Sequence, residues 1–189
     1  MRAPRVNANI VGNAGEYYVM CQLLRRGWIA ALAPTGVPNM DIIVTDEQSR
    51  RLCSISVKTR RDIGSDKGWF MNEKHEQIGA ADLFYCFVDF GKRPADAAKC
   101  YVVPSSIVSD ALIVSHRAWH NQIGRSGNRK DPKEPMRRLL PDYSRHLTTA
   151  LRASAPAVYE ELSQKFPKGW LNRYCEAWKE LGLPELTIF

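Results

Sequence analysis

Leu83 to Phe90 is the most apolar run of the chain. A run of that length, closed by the turn residues Gly91-Lys92-Arg93-Pro94, predicts a strand buried at the centre of a sheet. Strand partners surround it in the sequence. Leu52 to Thr59 alternates, with Cys53, Ile55 and Val57 facing one way and Leu52, Ser54, Ser56 and Lys58 the other. Trp28–Ala33, Asp41–Thr45, Trp69–Met71 and Cys100–Val103 read as further strands. A helix is expected from an Asn13 cap to Arg26, stopped by Gly27, and another from Ser105 to about Leu112. Asn121 to Pro141 is polar and punctuated by glycine and proline, so a long loop or arm is expected there. Helices near Ala155–Phe166 and Trp170–Leu181 close the chain. This order predicts an α/β fold with a mixed central sheet of about five strands. The Asn13 helix would lie on one side of the sheet and the Ser105 helix on the other. Residues 1–120 would form the core. Residues 121–189 would add the basic arm and C-terminal helices, all within one domain.

Composition excludes several classes. A chain of 189 residues with 44% apolar or aromatic side chains closes a core without disulfides. No window approaches 18 apolar residues, so no membrane span is expected. The basic start, Met1 to Asn7, leads into no apolar segment, so it does not read as a secretory signal. The five cysteines contain no C-x-x-C pair; they are expected to be free thiols of a reducing cytoplasm, and not a zinc site. His116 and His120 have helical spacing but lack the glutamate of a zinc-protease motif, so they read as a surface pair. Trp170, Tyr174 and Trp178 share a helical face, expected to be core packing or a subunit contact in a homodimer.

The net charge of +7 suggests a polyanionic partner such as nucleic acid. The excess peaks between Arg117 and Arg145, where eight basic side chains meet three acidic ones. Arg125, Arg129, Lys130, Arg137 and Arg138 are the expected phosphate contacts, tracking a DNA backbone without reading bases. A solvated loop or subunit-contact arm is the alternative for this segment.

A hairpin centred between Ser49 and Arg50 would set Asp41 opposite Lys58. On an open sheet surface such an ion pair contributes about 1 kcal/mol or less. Both flanks here are apolar, so the pair is expected to be partly desolvated, a setting common at functional sites.

Gly15-Glu16 on the first helix, Asp41 at the start of a strand and Ile55-Ser56-Val57-Lys58-Thr59 on its partner resemble the PD-(D/E)XK nuclease superfamily. The order and spacing are most similar to its Holliday-junction-resolvase-like members, over about the first two-thirds of the chain. The resemblance implies a restriction-endonuclease-like fold and Mg²⁺ or Mn²⁺-dependent hydrolysis of DNA. It implies that Asp41, the Val57 carbonyl and Glu16 hold the metal, and that Lys58 orients or deprotonates the attacking water. Ser56 stands where the motif carries an acid or glutamine. Three readings follow: a weak site that still works, a carboxylate supplied from elsewhere (Glu73 or Glu76), or a nuclease fold that has lost catalysis. In the last case the chain is a module binding nucleic acid or a protein partner.

Overall fold

The computed structural model describes residues 7–61, 68–122 and 135–184. In chain order its elements are α1 (Ala8–Leu24), β1 (Ile29–Leu32), β2 (Ile42–Thr45), β3 (Leu52–Arg60) and β4 (Trp69–Asn72). Then come β5 (Leu83–Asp89), β6 (Lys99–Pro104), α2 (Ser105–His120), β7 (Met136–Leu139), α3 (Thr149–Ser154) and α4 (Pro156–Lys165). Their contacts divide the chain into two interleaved units, and not in sequence at residue 120. The first contains residues 1–65, 80–104 and 174–189; the second contains 66–79 and 105–173.

The first unit is a mixed five-stranded sheet in the order β1-β2-β3-β5-β6. β3 and β5 run parallel and the other neighbours antiparallel. The apolar run is β5, with six of its seven residues buried, as expected of a strand with neighbours on both edges. On one sheet face Cys53, Ile55 and Val57 join Cys86, Val88, Cys100 and Val102 beneath Val19 and Leu23 of α1. Trp28, Trp178 and Leu181 complete this core. Burying each such large side chain contributes about 1.5–3 kcal/mol. Trp28 Nε1 donates to the Pro184 carbonyl at 2.7 Å, which fastens the C-terminal turn to the sheet.

α1 starts earlier than expected because Asn7, and not Asn13, is the cap; its side chain accepts from the Asn9 N–H at 2.9 Å. Gly27, in the left-handed region at φ 74°, follows the helix as predicted. The β2–β3 hairpin is also displaced. Asp46 ties its turn by accepting from the Arg50 backbone and guanidinium, each at 3.0 Å, and Ser49 is left-handed at φ 51°. Ile42 therefore faces Ile55, and the same register carried one residue further sets Asp41 opposite Ser56 instead of Lys58.

The second unit pairs β4 with β7, which corrects the expectation that the whole Asn121–Pro141 stretch is loop. α2 runs eight residues past Leu112, to His120. Arg117 and Glu161, at 3.0 Å, and Lys165 and Asp110, also at 3.0 Å, tie α2 to α4. Tyr143, Phe166 and Trp170 pack as a ring cluster with centroids 5.0–6.1 Å apart.

The expected helix Trp170–Leu181 is instead two 3₁₀ turns, Trp170–Tyr174 and Trp178–Leu181. Between them Glu176 adopts φ 52° and donates its N–H to the Cys100 carbonyl at 2.7 Å, so backbone pairing with β6 interrupts the helix. Trp170, Tyr174 and Trp178 thus share no helical face. All five cysteines are free, three of them buried. Among the described residues no helix is long and apolar enough to cross a membrane.

Candidate functional site

Asp41 stands at the mouth of β2, where the ladder to β3 ends. Its backbone N–H donates to the Ile55 carbonyl at 2.8 Å. Beyond that point the carboxylate takes over from the backbone: Oδ2 accepts the Val57 N–H at 2.6 Å and the Ser56 hydroxyl at 3.3 Å. In an extended strand the N–H and C=O of one residue project to the same edge, so the Val57 carbonyl points toward the Asp41 side. Ser56 is fully buried. Lys58, two residues further on β3, shares the sheet face of Ser56 and is half-buried.

Glu16 reaches this edge because its neighbour is glycine. A Cβ placed on Gly15 would lie 1.8 Å from Thr59 Oγ1, so only glycine lets α1 rest this closely on the end of β3. The Glu16 carboxyl is held above its usual range, first by burial and then by the charge of Asp41, while Lys58 opposes the rise. Asp41 and Lys58 therefore both act electrostatically on Glu16.

Tyr85 was not singled out from the sequence. It lies opposite Ser56 in the β3–β5 register and is fully buried. Burial, and after it the Asp41 charge, push its hydroxyl up to about 12. The only sequence trace of its role is a hydroxyl inside the most apolar strand, and its partner depends on a parallel pairing that no local pattern specifies.

Among the described residues no group of three or more histidines, cysteines, aspartates or glutamates is arranged to hold a metal ion. The oxygen donors at the edge are two carboxylates and a backbone carbonyl. Of the two proposed substitutes for the motif acid, Glu73 and Glu76, the second has its carboxylate bonded by the Arg137 guanidinium.

That pairing also corrects the reading of Arg137 as a phosphate contact, since its side chain is buried against Glu76. Arg138 is half-buried, its guanidinium 3.9 Å from the centre of the Phe70 ring. Arg125, Arg129 and Lys130 lie outside the described residues.

No family model matches the chain, and no curated protein does. The solved structures similar to it include two nucleases. One is a bacterial homing endonuclease, I-Ssp6803I: 14% identity, 55% of this chain and 69% of that one, TM-score 0.40. The other is Hjc, a Holliday junction resolvase of the archaeal hyperthermophile Archaeoglobus fulgidus: 17% identity, 51% of this chain and 74% of that one, TM-score 0.35.

Proposed function

We propose that the chain is a divalent-metal-dependent phosphodiesterase acting on DNA, with its centre at Glu16, Asp41 and Lys58. One observation carries this reading: where β2 and β3 part, the Asp41 carboxylate is fixed by the Val57 N–H at 2.6 Å, and both it and Lys58 act on the Glu16 carboxyl. Mutual repulsion of the carboxylates is what a divalent cation relieves. Two carboxylates and a carbonyl suit Mg²⁺ or Mn²⁺, which take hard oxygens and keep several waters. Glu16, Asp41 and the Val57 carbonyl would hold the ion, and when bound it supplies charge stabilisation and a more acidic water.

The chain's own groups have separate tasks. Ser56 donates to Asp41 and, with the Val57 N–H, holds that carboxylate in place. Lys58 offsets the charge that builds on the phosphate and orients the water. Hydrolysis forms one P–O bond from the water and breaks one to a deoxyribose oxygen, which takes up a proton.

A second reading, a DNA-binding module without catalysis, draws on Ser56 and on the absence of a third acid among the described residues. Cleavage of supercoiled plasmid and of a branched junction, in Mg²⁺ and in Mn²⁺, separates the two. Cleavage by the wild type that falls at least about 100-fold in Asp41→Asn and in Lys58→Ala, with DNA binding retained, supports the first reading. DNA binding without cleavage in either metal supports the second. A wild type that does neither overturns both.

A further inference from the structure

The second unit contains a cavity of about 450 Å³, within the size range of small-ligand sites. Its walls come from α2, β7 and the turn after β7. Among the described residues of the lining every ionisable group is basic or phenolic and none is a carboxylate. The Arg137 charge is matched by Glu76. Arg138 and Arg145 both line the cavity, and Arg138 is held below its usual range first by burial and then by the charge of Arg145. An anion between them offsets that repulsion and gains charge-assisted hydrogen bonds.

The opposite requirement is set by rings. His116 and Trp119 stack at 5.4 Å with planes 21° apart, and both line the cavity, as does Tyr143. A flat ring system gains stacking energy on such a surface, and sequence-tolerant base stacking uses the same contact. A lining that holds guanidiniums together with a stacked pair of rings suits an anionic group carried on a planar heterocycle.

We propose that this cavity binds a nucleotide, its phosphate held by Arg138 and Arg145 and its base laid against the Trp119–His116 pair. The nucleotide is either a free mononucleotide or the phosphorylated end of a DNA strand. The site is formed by residues other than Glu16, Asp41 and Lys58, so it stands or falls separately from the cleavage reading.

The test is calorimetric titration of the full chain with dAMP, deoxyadenosine, inorganic phosphate and a 5′-phosphorylated single-stranded oligonucleotide. The expected result is dAMP binding at least tenfold tighter than deoxyadenosine or phosphate alone. Arg145→Gln, an exposed position, and Trp119→Leu should each weaken it at least tenfold, while Trp119→Phe and Asp41→Asn leave it within threefold. Thermal melting of each variant checks that it folds. The oligonucleotide arm identifies the source: tighter binding than dAMP assigns a strand end, and weaker binding assigns a free mononucleotide. Should dAMP bind no better than its two halves, or equally well to wild type, Arg145→Gln and Trp119→Leu, the proposal is overturned.

Discussion

The Asp41 carboxylate and the Ser56 hydroxyl lie 3.3 Å apart across the point where β2 stops pairing with β3. A fully buried serine thus contacts one of the two acids of the proposed metal site. The contact ties the functional question to one position.

Ser56→Glu is the direct probe. It puts a second anion beside Asp41 in a buried place, so without metal the variant should melt below wild type. With Mn²⁺ present the order should narrow or reverse, and calorimetry should show Mn²⁺ bound roughly tenfold tighter, because a hard anionic ligand has been added. Equal or weaker Mn²⁺ binding in the variant would remove Ser56 from the metal pocket.

The close approach of α1 to β3 gives a second test. Gly15→Ala brings a methyl group onto Thr59 Oγ1 and should cost about 1–3 kcal/mol in chemical denaturation. Adding Thr59→Ala removes the hydroxyl and should recover part of the loss. A single variant as stable as wild type would mean that α1 rests further from the sheet.

Arg137 and Glu76 form an ion pair whose side chains are 6% and 20% exposed. Arg137→Ala leaves Glu76 unpaired and should destabilise by about 3–5 kcal/mol. Arg137→Met with Glu76→Met removes both charges and should cost less than the sum of the single changes. Because Arg137 is occupied in this pair, Arg137→Met/Glu76→Met should leave the salt slope of DNA binding unchanged. A slope flattened by about one would return Arg137 to the phosphate contacts.

Tyr18, Tyr85 and Tyr143 are each pushed up from 10 to about 12, chiefly by burial. Each folded value lies above the unfolded one, so the stability they contribute is fully present below pH 10 and is lost as pH rises through about 12. At pH 11, absorbance near 295 nm should report at least about two fewer tyrosinates in the native protein than in the denatured chain. Alkaline unfolding should follow over the same window. Equal titration of native and denatured chains would contradict the burial of these hydroxyls.

Strand positions were legible in the sequence because burial on one or both faces writes itself into local periodicity. β5, β3 and the Gly27 stop needed no more than a few neighbouring residues to be read. Glu16, Asp41, Ser56 and Lys58 were named by motif, and the shared face of Ser56 and Lys58 follows from a period of two along β3. Register was not legible. It hangs on the Asp46–Arg50 turn, and a shift there moves the partner of Asp41 from Lys58 to Ser56 without altering any residue's face. Long-range pairings were equally hidden. The parallel β3–β5 contact brings Tyr85 opposite Ser56, the β4–β7 pairing turns part of an apparent loop into strand, and the Glu176–Cys100 bond breaks what reads as one helix into two turns. Arg137 shows the same division for charge: composition counts it with the basic segment, but only the fold sets Glu76 against it. Local pattern determined the elements, because adjacent residues share a backbone and its geometry. Which elements meet, and so which charges are neutralised, was decided by packing between segments far apart in the chain.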